Sequence, residues 1–204
     1  MARPKQPVLF YKPFTALSAP GEAIPVPLAA QKAGGLDYEC ELVIVIGKPA
    51  RDVRAEDALD YVLGYSVGND VSHRDLQING GGGQWGSGKG FDGWAPWGPG
   101  IVGVAEAGDG SGLRIQTRVN GRTVQSESTS DMIFGVRETV AFLSRGTTLM
   151  PGDLIFTGTP VGVGMGVKPH PKWLVDGDVV EVELEGVGVC KNTVVFEKRE
   201  EAKL

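Results

Sequence analysis

The chain has 204 residues, and its 20 basic against 25 acidic side chains leave a net charge of −5 with no basic cluster able to neutralise a run of phosphates, so nucleic acid is not an expected partner. Its two cysteines, Cys40 and Cys190, stand far apart, form no CxxC pair and follow no recognisable leader, which argues against a disulfide framework and predicts a reducing, cytoplasmic or organellar setting. The longest apolar run, residues 42–46, falls far short of the roughly 20 needed to cross a bilayer, and no linker or charge block divides the chain, so one soluble domain over 1–204 is expected.

The 31 glycines and 13 prolines punctuate short β-branched runs, which predicts a mainly β (α+β) fold with few short helices. Prolines at 7, 13, 20, 25 and 27 remove donors and fix φ, so the first 30 residues should be extended or looping chain with little regular structure. Residues 38–46 read as a strand bounded by Asp37 and Gly47, and 61–68 as another after a helical turn near 55–58. Residues 80–100 read almost entirely as loop. Within 114–126, Asn120-Gly121 predicts a hairpin turn because both positions tolerate φ > 0. Apolar residues at 136, 140 and 143 before Gly146 predict an amphipathic helix over 136–145. Strands over 153–157, 178–184 and 187–196 follow, the last two joined around Glu185-Gly186.

Strand alternation sends Glu39 and Glu41 to the same side, with Cα atoms roughly 6.6 Å apart, close enough to grip one ion. The apolar run that follows them argues for burial on both faces, and two buried carboxylates on one face repel each other unless a cation lies between. Two solvated glutamates at a strand start would satisfy the same pattern. Asp70, at the end of the next apolar strand, is positioned to supply a third oxygen ligand, although an isolated aspartate there also suits a turn. An all-oxygen set points to Mg²⁺ or Mn²⁺.

Several runs together resemble the catalytic domain of fumarylacetoacetate hydrolases. They are Asp37-Tyr38-Glu39-Cys40-Glu41-Leu42, Gly68-Asn69-Asp70-Val71-Ser72-His73-Arg74-Asp75-Leu76-Gln77, Gly88-Lys89-Gly90-Phe91-Asp92 and Gly158-Thr159-Pro160-Val161-Gly162-Val163-Gly164. Pro7-Val8-Leu9-Phe10-Tyr11-Lys12-Pro13 and Gly177-Asp178-Val179-Val180-Glu181-Val182 extend the likeness over nearly the whole chain. The resemblance implies an irregular mixed β-sandwich roll, commonly a homodimer, with the metal at Glu39, Glu41 and Asp70. It further implies that Lys89 and Gln77 contact the polar head of a small 2-oxo or diketo acid and that Thr159 receives its carboxylate. The reactions it implies are C–C hydrolysis, as in acylpyruvases and fumarylacetoacetases, or decarboxylation and tautomerisation through a metal enolate. Without the resemblance, Lys89, Gln77 and Thr159 read as an exposed loop lysine, a helix-surface glutamine and a turn threonine.

Hydrolytic and decarboxylating members usually carry a His-x-x-Glu pair on an upstream lid, and the expectation is that this chain starts after it. Its histidines are His73, a candidate substitute base or a hydrogen-bond bridge, and His170, a loop residue between prolines. Gly90 also departs from the serine that relatives often have. These departures favour decarboxylation or tautomerisation over hydrolysis and keep open a non-catalytic, metal-binding dimeric relative. Another reaction class is suggested by Gly64-Tyr65-Ser66-Val67-Gly68, which matches a serine-hydrolase elbow, but apolar residues continue past Ser66 as in a single strand. Gly83 to Lys89 spells a phosphate loop without its Ser/Thr or following helix, and His73-Arg74-Asp75-Leu76 has the spelling of a kinase loop without its asparagine.

Overall fold

The structure is a computed structural model that describes residues 4–31 and 35–198; the parts of the expected 1–204 domain at 1–3, 32–34 and 199–204 lie outside the described residues. Its strands are β1 (Leu17–Ser18), β2 (Ala23–Val26), β3 (Leu36–Asp37), β4 (Cys40–Ile46), β5 (Val62–Asn69), β6 (Ser72–His73) and β7 (Ala95–Gly103). After the short helix α1 (Val104–Ala107) come β8 (Arg114–Val119), β9 (Arg122–Ser128), helix α2 (Val136–Leu143), β10 (Leu154–Phe156), β11 (Val179–Leu184) and β12 (Gly188–Phe196). One mixed sheet has the order β1-β7-β5-β4-β10, a second the order β2-β12-β11-β8-β9, and β3 pairs with β6 alone.

Between the two large sheets lies an apolar core to which β4 gives Leu42, Ile44 and Ile46, β5 gives Tyr65 and Val67, and β11 gives Val180, Val182 and Leu184. All seven residues of β4 are buried, Val43 and Val45 on the face turned away from that core, as its unbroken apolar run requires. The hairpin forms as expected, with Asn120 at φ 50° and Gly121 at φ 76°. The expected helix spans Val136–Leu143, with Glu138 reaching back to accept from the Gly135 N–H at 3.3 Å.

Two expectations fail. Residues 80–100 are not almost all loop: they hold a 3₁₀ turn at Trp85–Gly88 and most of β7, which lies between β1 and β5. Pro96, Gly98, Pro99 and Gly100 hide that strand from any alternation pattern, and the last three are tolerated because β1 pairs with β7 only at Ala95 and Pro96, which leaves one edge of the rest free. The proline-rich start likewise carries β1 and β2, each closing a sheet edge, and Pro25 sits in edge strand β2 where a missing N–H costs no ladder bond.

Candidate metal centre

The antiparallel register of β4 and β5 pairs Glu41 with Gly68 and Cys40 with Asn69. One step further along the same register Asp70 stands opposite Glu39, and the two are joined by the Asp70 N–H donating to the Glu39 carbonyl at 2.8 Å. Cross-strand partners share a face, so Glu39, Glu41 and Asp70 converge, with one carboxylate oxygen from each within 4.8 Å of the others. Opposite Glu41 only glycine fits: a Cβ at Gly68 would lie 2.4 Å from Phe156 Cε1 and 2.9 Å from Val43 Cγ2. The sequence places Glu39 inside a strand, whereas β4 begins at Cys40; the Asn69 side chain instead binds the Glu39 N–H at 2.9 Å.

Lys89 is not an exposed loop lysine. It is 2 % exposed, and its ammonium lies 2.6 Å from each of Glu39 Oε2, Asp70 Oδ2 and Ser72 Oγ. Gly88 makes this entry possible, because a Cβ there would stand 2.5 Å from the Gln77 amide nitrogen and 2.7 Å from the His73 carbonyl oxygen. Gln77 is buried on a π-helical turn, Leu76–Gly80, and its Oε1 accepts from Arg74 Nη1 at 3.1 Å. Arg74 also holds Glu39 Oε1 at 2.6 Å and Asp37 Oδ2 at 2.9 Å, so Gln77 joins the cluster through it. Thr159 stands beside it: the neighbouring Gly158 N–H donates to Glu41 Oε2 at 2.8 Å, and Thr159 Oγ1 accepts from Gln125 Nε2 at 2.9 Å.

His73 is not brought onto the carboxylates. Its neighbours Ser72 and Arg74 face Lys89 and Glu39, and the imidazole points between them to the other side, against Gly35, with Nδ1 accepting from the Leu76 N–H at 3.4 Å. Ser66 is fully buried in mid-strand, donating to the Gly100 carbonyl at 2.8 Å, a setting without the sharp turn a serine nucleophile needs. His170 is an exposed loop residue.

Four members of the cluster lay outside the sequence-derived set. Lys12 meets Asp70 Oδ1 at 2.6 Å and donates to the Trp94 carbonyl at 2.7 Å. Arg74 and Asp37 link the cluster to the loop after β10, where Asp37 accepts from the Gly164 N–H at 2.7 Å and the Met165 N–H at 3.0 Å. Gln125 is buried opposite Thr117, at an inward position of the β8–β9 hairpin that an apolar residue would ordinarily take. Such a polar residue at an inward position is a legible signal; Lys12, flanked by Tyr11 and Pro13, offered none.

Burial raises Glu39 and raises Glu41 well above the ordinary carboxylate range, and the charges of Asp70 and Glu39 push Glu41 further. Burial would raise Asp70 too, but the Lys12 and Lys89 ammoniums outweigh it and hold Asp70 below its ordinary value. Among the described residues no salt bridge reaches Glu41, which accepts a hydrogen bond from the Gly158 N–H. A buried carboxylate with no cation in direct contact, next to two others, is the setting an oxygen-ligated divalent ion relieves, so these residues fit a metal.

The family profile described as fumarylacetoacetate (FAA) hydrolase C-terminal matches residues 1–195. A fumarylacetoacetate hydrolase domain-containing protein 2 homolog of Dictyostelium discoideum is 45% identical over 202 residues, which is 95% of this chain and 65% of that protein. The structure of a fumarylacetoacetate hydrolase from psychrophilic Exiguobacterium antarcticum is similar with TM-score 0.86 and 44% identity, over 93% of this chain and 66% of that one. A 5-carboxymethyl-2-hydroxymuconate delta-isomerase from Mycobacterium smegmatis is similar with TM-score 0.85 and 40% identity, over 98% of this chain and 73% of that one. The chain thus spans about two thirds of the length of these proteins. With the fold shared over 93% of the chain and the matching profile reaching from residue 1 to residue 195, the chain belongs to the fumarylacetoacetate hydrolase family.

Proposed function

We propose that this protein is a divalent-metal-dependent enzyme acting on small 2-oxo or diketo acids by isomerisation, decarboxylation or C–C bond hydrolysis. The observation that carries the reading is the buried Glu41 beside Glu39 and Asp70, which among the described residues forms no salt bridge of its own. Four buried acids, Asp37, Glu39, Glu41 and Asp70, face three cations, Lys12, Arg74 and Lys89, leaving one negative charge in excess. A divalent ion held by Glu39, Glu41 and Asp70 turns that excess into one positive charge, which suits an anionic substrate. Bound there, Mg²⁺ or Mn²⁺ supplies a Lewis acid for the keto oxygen.

The chain's own residues provide the rest. Lys89, anchored by Ser72 and two carboxylates, is a fixed positive charge beside the place where negative charge develops on substrate oxygen. Arg74 occupies the Gln77 amide oxygen, so the amide N–H groups remain as donors for the polar head. Thr159 takes the carboxylate. His73 is given no proton-transfer step, because its ring lies on the other side of β6. Isomerisation is supported by the activity named for the mycobacterial relative and is the reaction to test first. A homodimer is part of the same proposal, and light scattering that returns the mass of one chain removes it.

The test is a screen of oxaloacetate, acylpyruvates, fumarylpyruvate and hydroxymuconate-type dienes with Mg²⁺ or Mn²⁺, before and after EDTA. Turnover should require the metal. Calorimetric Mg²⁺ affinity that survives both Glu41→Ala and Asp70→Ala, or turnover indifferent to EDTA, removes the proposal.

A further inference from the structure

Gln125 lies in β9, 2 % exposed, where the second sheet meets the loop after β10. Its Oε1 accepts from the Thr117 hydroxyl at 2.7 Å and the Cys40 N–H at 3.3 Å, while its Nε2 donates to Thr159 Oγ1 at 2.9 Å and the Pro160 carbonyl at 3.0 Å. Every donor and acceptor of the amide is used, and the arrangement is unambiguous. Turning the amide over would set its NH₂ against the Cys40 N–H and its oxygen against the Pro160 carbonyl, two repulsive contacts in a buried place. The separation is also held from the loop side. Tyr38 donates its hydroxyl to the Gly162 carbonyl at 2.9 Å, and a Cβ at Gly162 would stand 2.3 Å from the Val124 carbonyl oxygen.

This fixes the polarity of Thr159. A free hydroxyl serves as donor or acceptor, but here Gln125 already supplies a hydrogen to the oxygen, so the hydroxyl's own hydrogen points elsewhere. Among the described residues no hydrogen bond takes it up. Thr159 is half-buried and follows Gly158, the residue that holds Glu41, so that hydrogen is available at the margin of the carboxylate cluster.

We infer that Gln125, oriented by Thr117, is a positioning residue that makes Thr159 a dedicated hydrogen-bond donor to the carboxylate of the 2-oxo acid, and so sets the preference of this site for an acid over its neutral amide. The inference rests on the functional reading above. Polarity passes one way, from the Thr117 hydroxyl through the Gln125 amide to the Thr159 hydroxyl and then to the ligand, each bond strengthening the next. A donor to an ionised acceptor is among the stronger neutral-group hydrogen bonds, worth about tenfold to a hundredfold in affinity.

The test measures binding of pyruvate and of pyruvamide to the Mg²⁺-loaded protein by calorimetry, with KM and kcat on whichever acid is turned over. Wild type should favour pyruvate. Gln125→Glu offers Thr159 an acceptor, turns its hydrogen inward, and should reduce the pyruvate-to-pyruvamide preference by about tenfold or more. It should raise KM while leaving kcat and Mg²⁺ affinity unchanged, a split that mere loosening of the loop would not produce. Thr159→Val should lose the same preference, and the double variant should be no worse than either single one. Thr117→Val, which removes only the first link, should shift the preference in the same direction by less, and it decides the matter if Gln125→Glu does not fold. An unchanged preference in Gln125→Glu or in Thr117→Val, or losses that multiply in the double variant, overturns the inference while leaving the functional reading in place. A wild type that binds Mg²⁺ and neither ligand overturns the functional reading, and this inference with it.

Discussion

Lys12 Nζ and Asp70 Oδ1 lie 2.6 Å apart, which ties the proline-rich amino-terminal segment to the end of β5. Burial lowers the Lys12 pKa despite the opposing pull of Asp70, so the ammonium is costly to bury without its partner. Replacing it by Lys12→Met leaves Asp70 with Lys89 alone and should cost about 1–3 kcal/mol at neutral pH. The sign with pH follows from Asp70, whose folded pKa is depressed below the ordinary 3.8. Its contribution is present above that value and is lost as pH falls through the folded pKa. Urea unfolding of wild type and variant should therefore differ at pH 7 and converge in acid; a gap that stays constant into strong acid would detach the effect from Asp70.

Glu41 carries the opposite sign. Its folded pKa stands well above 4.5, so in the metal-free protein its contribution is favourable below pH 4.5 and is lost as pH rises through the folded value. At pH 7 the metal-free native state is therefore burdened by this carboxylate, and Glu41→Gln should raise its Tm, at about 2–4 °C per kcal/mol relieved. Mg²⁺ should raise the Tm of wild type, by the equivalent of about 2.7 kcal/mol at a hundred times Kd, and leave Glu41→Gln unmoved. Scanning calorimetry with and without Mg²⁺ separates the two effects, and a Glu41→Gln protein still stabilised by the ion would remove Glu41 from the ligand set.

Lys89 bridges Glu39 and Asp70, so its removal leaves Glu39 with Arg74 alone and Asp70 with Lys12 alone. In the metal-free state Lys89→Met should cost about 3–5 kcal/mol, measurable as a lower urea midpoint, and saturating Mg²⁺ should restore part of it by supplying positive charge to the same cluster of carboxylates. In the metal-loaded state turnover should fall by about a hundredfold or more, the scale of losing one fixed donor at a developing anion. Full turnover with metal bound would place the substrate away from Lys89.

Burial pushes the Cys40 and Cys190 thiols up to about 12, and Tyr38 and Tyr65 likewise to about 12. Native protein at pH 8 should therefore resist thiol reagents that label both cysteines after denaturation. These groups favour their neutral forms when folded, so their contribution is whole below the ordinary values of 9.0 for the thiols and 10.0 for the phenols and is lost as pH rises toward 12. Unfolding midpoints should fall steadily above about pH 9. Rapid labelling of Cys40 in the native state would contradict its burial.

The sequence by itself determined what depends on short range. Alternation put Glu39 and Glu41 on one side, Asn120-Gly121 made a hairpin, Gly146 followed a helix, and a few contiguous motifs marked the family. Tertiary structure alone decided what depends on which distant segments pair. The β4–β5 register set Asp70 opposite Glu39; the contact of Gly88 with the Gln77 turn drove Lys89 inward, where isolation in a glycine-rich run had read as exposure. Pairing with β5 made a strand of residues 95–103 against their own prolines and glycines. Lys12, Arg74 and Asp37 each look like ordinary polar residues in the chain, because a charge shows its purpose only beside its partner. Local periodicity carries the face a side chain takes, while the partner on that face is chosen by loop closure, register and the absence of a Cβ at Gly68 and Gly88.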